Sequence, residues 1–127
     1  MKTIHIVEDD GDIGAALAIR LASAGYRVLR SGDTTSAYDT AILERPDLLI
    51  LDISLPGGDG FEVLERLRRD SDCAELPALF LTASRRPELR DRALSVGAVG
   101  FVEKPFNSSE LLRVVADALA APGALSH

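Results

Sequence analysis

Five short apolar runs alternate strictly with longer stretches of helical periodicity, and that alternation leaves few folds open. The runs are Thr3–Val7, Tyr26–Leu29, Asp47–Leu51, Leu76–Leu81 and Val99–Val102. Between them, apolar residues recur three or four positions apart: Ile13, Leu17, Leu21 and Ala24, then Phe61, Val63, Leu64 and Leu67, then Leu111, Leu112, Val115 and Leu119. Gly25 and Gly97 stand where the first and fourth helices should stop. Ser31-Gly32-Asp33 is predicted to open the second helix, which Pro46 closes from beyond its end. Pro87 opens the fourth, and Asn107 or Ser108 caps the fifth. Crossovers of this length make right-handed βαβ units, hence a parallel sheet with helices on both faces. The unbroken apolar run at Leu48–Leu51 suits a strand covered on both sides.

At 127 residues the chain suits one domain rather than two. Its 14 basic and 20 acidic side chains give a net charge of −6, which argues against a direct role in binding nucleic acid or an anionic membrane. Cys73 is the sole cysteine, so no internal disulfide can form, as suits a reducing cytoplasm. It reads as a passive thiol in a polar loop. Met1 runs straight into the first strand without a leader, and no apolar stretch approaches the length of a membrane span. Ala120-Ala121-Pro122-Gly123 is expected to end the last helix.

In an open α/β sheet, ligands bind beyond the carboxyl ends of the strands, where the winding direction reverses. Sorted by that rule, the polar residues converge. Glu8, Asp9 and Asp10 follow the first strand, Asp52 ends the third, Thr82 ends the fourth and Lys104 follows the fifth. Asp52 is either a paired structural charge or the working group of a site, because an ionised carboxylate at a buried strand tip needs compensation. Clustered carboxylates repel, and a hard divalent cation with oxygen ligands, Mg2+, removes that cost. Asp9 and Asp52 would ligate it directly, Glu8 directly or through water, and the Ser54 backbone carbonyl is a further candidate. A phosphoryl group at Asp52 would then find Lys104 as a point charge, the Thr82 hydroxyl as a donor and the Ala83 amide as a third contact.

Each feature has an ordinary account when taken alone. Acids after a strand often cap the next helix, as Asp10 or Asp12 would here. A threonine at a strand end is common, and Lys-Pro often marks a surface turn. The ordinary account must, however, put four unrelated features on one sheet edge by accident. His5 lies inside the first strand and reads as a core or flanking histidine. With two histidines and one cysteine, a zinc site is disfavoured. Gly57-Gly58-Asp59-Gly60 follows Pro56 and reads as a turn rather than a phosphate-binding loop.

With these residues in view, the chain resembles the receiver domain of two-component response regulators over residues 2–120. The resemblance rests on Ile6-Val7-Glu8-Asp9-Asp10, Leu51-Asp52, Leu55 through Gly60, Leu81-Thr82-Ala83, Gly97-Ala98 and Lys104-Pro105-Phe106. The spacings also agree, with 30 residues from Asp52 to Thr82 and 22 from Thr82 to Lys104. It implies a flavodoxin-like sheet in the order 2-1-3-4-5, a receiver domain over 1–121 and a short tail or linker stub over 122–127. Asp52 would accept a phosphoryl group from a sensor histidine kinase or a phosphotransfer protein. Glu8, Asp9, Asp52 and the Ser54 carbonyl would hold Mg2+, and Lys104 would contact the acyl phosphate. The peptide bond before Pro105 would be cis. Thr82 would move toward the phosphoryl group and free space for Phe101, at a position where the family often has tyrosine. The face made by the fourth helix, fifth strand and fifth helix would then control a partner protein or an attached output domain, and would also serve a homodimer.

Two other readings compete. A magnesium-dependent phosphatase of the haloacid dehalogenase type would use an aspartyl nucleophile, but needs a second Asp two positions on, where Ser54 stands. A degenerate receiver that only binds proteins would not need Glu8, Asp9, Asp52, Thr82 and Lys104 together. The chain is thus expected to be a cytoplasmic signalling phosphoacceptor rather than a turnover enzyme.

Overall fold

The computed structural model describes residues 1–120. The expected tail, and the Ala121-Pro122-Gly123 part of the expected helix stop, lie outside the described residues. In chain order the elements are β1 (Thr3–Val7), α1 (Gly11–Ser23), β2 (Arg27–Ser31), α2 (Thr34–Glu44), β3 (Leu48–Asp52), β4 (Ser54–Leu55), β5 (Gly58–Asp59), α3 (Gly60–Arg68), β6 (Ala78–Thr82), α4 (Pro87–Ser95), β7 (Gly100–Glu103) and α5 (Ser108–Ala120).

Five strands pair in parallel in the order β2-β1-β3-β6-β7. This is the expected 2-1-3-4-5 sheet, with β6 and β7 as its fourth and fifth strands. The numbering shifts because β4 and β5 form a two-residue antiparallel hairpin after Asp52. That hairpin gave no sequence signal beyond its turn, since two residues are too few to show a period. Gly57, with φ at 89°, makes the turn that a side chain would strain. The Thr34 amide donates to the Pro56 carbonyl at 3.2 Å and moors the turn to the start of α2.

Alternation along each strand divides the core into two layers. Ile4, Ile6, Leu48, Ile50, Leu79, Leu81 and Val102 face α1 and α5, packing on Leu17, Leu21, Leu111 and Val115. Val7, Leu49, Leu51, Ala78 and Phe80 face α2, α3 and α4, packing on Ala37, Ala41, Phe61, Leu64 and Ala93. The central strands β3 and β6 are buried along their whole length. Phe61 and Phe80 meet with ring centroids 4.8 Å apart. Truncating either would cost on the order of 3–5 kcal/mol.

Asp10, Asp33 and Asp59 cap α1, α2 and α3 by accepting backbone amides two or three residues on. Asn107 does the same for α5, taking the Glu110 amide at 2.7 Å. Each such bond contributes about 1 kcal/mol. Ser31, expected within the second helix start, instead ends β2 and is buried; only Asp33 caps. Cys73, expected in a polar loop, is buried, its Sγ 3.9 Å from the Ala41 carbonyl oxygen. Burial pushes its thiol above the ordinary value, which agrees with a passive role. Asp47 lies just before β3 and accepts the Thr3 amide at 2.7 Å.

His5 is fully buried in β1 on the α2 side of the sheet. Its Nε2 lies 2.7 Å from the Ser31 Oγ, and that hydroxyl donates to the Ser36 carbonyl at 3.4 Å. The serine proton being committed, we assign the imidazole proton to Nε2. That leaves Nδ1 as a buried lone pair without a partner among the described residues. Burial lowers the pKa of His5 to about 4 from 6.5. Above pH 6.5 neither folded nor unfolded chain carries the extra proton. Between 6.5 and 4 only the unfolded chain binds it, so stability falls as pH falls. The loss is expected to reach about 2 kcal/mol by pH 5. Denaturant unfolding at pH 7.5 and 5.0 should show that excess drop in the wild type and its absence in His5→Leu. Equal drops in the two proteins would refute it.

Candidate functional site

The parallel register brings the expected residues to one end of the sheet. Val7 pairs with Leu51, Asp52 with Leu81, and Thr82 with Glu103, so the strand tips of β1, β3, β6 and β7 finish side by side. The Lys104 amide then donates to the Thr82 carbonyl at 2.7 Å, and the Ile53 amide to the Leu81 carbonyl at 3.2 Å. These bonds carry the ladder one residue past the strands and fix the loops that hold the site. Gly60 closes the loop after Asp52, its amide donating to the Ile53 carbonyl at 2.8 Å. A Cβ at Gly60 would collide with the Asp52 carbonyl oxygen, so glycine there lets α3 start directly beneath the site.

The resulting cleft encloses about 710 Å³ and is lined by Glu8, Asp9, Asp52, Ser54, Thr82 and Lys104, among others. Lys104 bridges two of the acids. Its Nζ lies 2.6 Å from Glu8 Oε1 and 2.8 Å from Asp52 Oδ2. The other Asp52 oxygen accepts the Ser54 amide at 3.1 Å. The other Glu8 oxygen takes the Asp10 amide at 3.3 Å. The Glu8 side chain is 1% exposed, that of Asp52 9% and that of Lys104 17%. Asp9 is exposed at the rim. Even so, carboxylate oxygens of Glu8, Asp9 and Asp52 all lie within 4.8 Å of one another.

Burial, aided by the neighbouring Asp52, pushes Glu8 up to about 7, against the pull of Lys104. Burial alone would lower Lys104, but the two carboxylates outweigh it and hold the ammonium above its usual value. The site is therefore a place where negative charge is in excess and one cation serves two acids. Such a set of oxygen donors suits a hard divalent ion. Lys104, expected to contact an acyl phosphate, bridges the two carboxylates in this structure.

Thr82 is buried at the cleft wall, and its Oγ1 accepts the Ser84 amide at 3.0 Å. Among the described residues its hydroxyl hydrogen has no acceptor. Ala83 lines the cleft beside it. Phe101 pairs with Phe80 across the β6–β7 ladder and is half-buried. The Arg90 guanidinium sits 5.1 Å from its ring centroid. Arg85 and Arg90 both approach Glu103, at 3.8 and 3.6 Å. The Lys104–Pro105 peptide bond is cis. Sequence reasoning missed the role of Arg30, whose guanidinium donates to the Gly11 carbonyl at 3.2 Å and packs over Gly14 beside the acidic loop. No helix among the described residues is long and apolar enough to cross a membrane.

Comparison with known proteins agrees with this geometry. The family profile described as the response regulator receiver domain matches residues 4–116. The phosphate regulon transcriptional regulatory protein PhoB of Pseudomonas aeruginosa is 38% identical over 111 residues, 87% of this chain and 48% of that protein. The DNA-binding dual master transcriptional regulator RpaA of a Synechocystis species is 38% identical over 112 residues, 88% of this chain and 46% of that protein. The chain thus spans about half the length of these curated relatives. Among solved structures, the Vibrio cholerae chemotaxis protein CheY4 superposes with a TM-score of 0.89 at 33% identity, covering 94% of this chain and 99% of that one.

Proposed function

The chain belongs to the response regulator receiver family, and on that premise we propose that Asp52 is its phosphoacceptor and that its chemistry is confined to taking on and losing one phosphoryl group. The observation that carries this reading is the Lys104 ammonium bridging Glu8 and Asp52 in an acidic cleft with the Thr82 hydroxyl alongside. A carboxylate so placed is paired, oriented and reachable from the cleft.

The donor would be a phosphohistidine on a sensor kinase or a phosphotransfer protein. An Asp52 oxygen attacks phosphorus, the P–N bond breaks and the imidazole leaves. Lys104 is within reach of the new oxygens and can exchange its carboxylate contact for one of them as a charge-assisted bond. The Thr82 hydroxyl donates to another, the Ala83 amide to a third. Glu8, Asp9, Asp52 and the Ser54 carbonyl would hold Mg2+, which when bound offsets the charge of the carboxylates and of the phosphoryl oxygens. Ser54, where a phosphatase of the aspartyl-nucleophile type needs an acid, supplies no proton for turnover of other phosphoesters.

Moving Thr82 inward breaks its bond to the Ser84 amide and empties space beside Phe101. The surface of α4, β7 and α5 then changes, and differential contacts of a partner, an attached output domain or a second copy with the two forms convert the change into signal. Curated relatives named as transcriptional regulators favour an output of that kind, and the negative net charge argues against DNA contact by this domain itself. We place the protein in the cytoplasm with its kinase.

Incubation with Mg2+ and acetyl phosphate or phosphoramidate should add the mass of one phosphoryl group, and fragmentation should locate it on Asp52. Without Mg2+ the labelling should fall sharply. No adduct, or turnover of many unrelated phosphoesters, would overturn the reading.

A further inference from the structure

Helix α4 is held differently at its two ends. At the amino end Arg86 makes no side-chain capping bond, unlike the residues that cap α1, α2, α3 and α5. Two consecutive short turns lead there from the switch threonine: the Ser84 amide donates to Thr82 Oγ1 at 3.0 Å, and the Arg86 amide to Ser84 Oγ at 3.3 Å. Along its length α4 fully buries a single residue, Ala93.

The carboxyl end is closed by backbone and clamped by a side chain. Gly97, with φ at 83°, donates to the Leu94 carbonyl, and Ala98 donates to the Ala93 carbonyl, both at 3.0 Å. The Val96 and Gly97 carbonyls just beyond it are taken by Arg68, the last residue of α3. Its Nε donates to Val96 at 3.4 Å and its Nη2 to Gly97 at 3.2 Å. On the other side of the same plane, Nη1 donates to the carbonyls of Leu76 at 2.7 Å and Cys73 at 3.4 Å. Among the described residues Arg68 forms no ion pair. Its charge is met by carbonyl dipoles, including the negative end of α4. A rigid fork with donors on three nitrogens meets four carbonyls on two segments at once, which a lysine cannot do.

We propose that Arg68 is a positioning residue that pins the carboxyl end of α4 to α3, so that inward movement of Thr82 swings the amino half of α4 about a fixed far end. The inference rests on the phosphoacceptor reading of Asp52, which supplies the movement. It assigns the signal a location: the surface around Arg85, Arg86 and Arg90 is remodelled, while Ser95 to Ala98 stays in place.

Amide hydrogen exchange on the full chain, with and without Mg2+ and beryllofluoride as a phosphoryl mimic, tests it. In the wild type the mimic should change exchange across 83–92 and leave 96–98 unaltered. In Arg68→Gln, and in the milder Arg68→Lys, the amides of 96–98 should exchange about tenfold faster at rest, the loss of roughly one net hydrogen bond. The mimic-induced change should then spread into 96–98, a redistribution that a loss of overall stability would not produce. A wild-type response equal at both ends of α4 would remove the pivot and leave Asp52 as phosphoacceptor. Variants indistinguishable from wild type at 96–98 would also remove the pivot alone. No response anywhere to the mimic would remove both readings.

Discussion

Asp52→Ala will take up no phosphoryl group from acetyl phosphate in Mg2+, with labelling reduced at least about a thousandfold, as expected when a nucleophile is deleted. The geometry explains why no neighbour should substitute. Glu8 is buried, bonded to Lys104 and pushed up to about 7, so near neutral pH much of it is protonated. Asp9 is exposed at the rim, and no backbone amide or ammonium among the described residues orients its carboxylate as Ser54 and Lys104 orient Asp52. The fold should survive, because Lys104 keeps Glu8 as a partner and the other bond lost among the described residues is the one to the Ser54 amide. Thermal unfolding of the variant within a few degrees of the wild type, together with lost labelling, is the expected pair of results. Persistent labelling at full rate would place the acceptor elsewhere.

The second large effect is on stability. Lys104→Met keeps the aliphatic stem and removes the one ammonium that serves both buried carboxylates. Breaking a buried pair from one side leaves uncompensated charge, and the expected cost at pH 8 in chelator is about 3 kcal/mol. The pH dependence has a definite sign. Glu8 already sits above its ordinary value of 4.5, so its ionisation destabilises the folded state as pH rises through 7. Without Lys104 that pKa rises further. The variant should therefore gain stability as pH falls from 8 to 6, more steeply than the wild type, and should recover much of its loss when Mg2+ is added. Denaturant unfolding at both pH values, with and without the metal, gives all four numbers. A variant as stable as wild type in chelator at pH 8 would show that the bridge contributes nothing.

Most of the site was legible because a parallel sheet orders its strand tips. Once Asp52, Thr82 and Lys104 fall at the ends of apolar runs, topology alone makes them neighbours, and the register then does so residue by residue. What escaped reading is of another kind. The clamp made by Arg68 uses backbone carbonyls, which every residue has, so nothing in the sequence marks its partners. The burial of Cys73 depends on α2 lying over it through Ala41, a contact 32 positions away. The resting engagement of Lys104 with Glu8 and Asp52 follows from charge balance in a closed space, which spacing cannot reveal. The pairing of His5 with Ser31 across β1 and β2 was hidden for a simpler reason: Ser31 reads as the start of a helix when it is the end of a strand.

The missing cap on α4 has a consequence for how such a domain can diversify. Four helices are tied down at the end nearest the chemistry, so they form a stiff frame that resists change in the site. The uncapped joint is at Ser84–Arg86, and beyond it the outward side chains of α4 meet the fold through surface ion pairs and arginine–ring contacts, as Arg90 does with Glu103 and Phe101 and Arg92 with Glu65 and Phe61. On the proposed phosphoacceptor reading, those positions can be rewritten for a new listener while the residues around Asp52 stay as they are. In engineering terms, the reading head and the transmitter share one soft coupling, and exchanging the transmitter leaves the head untouched.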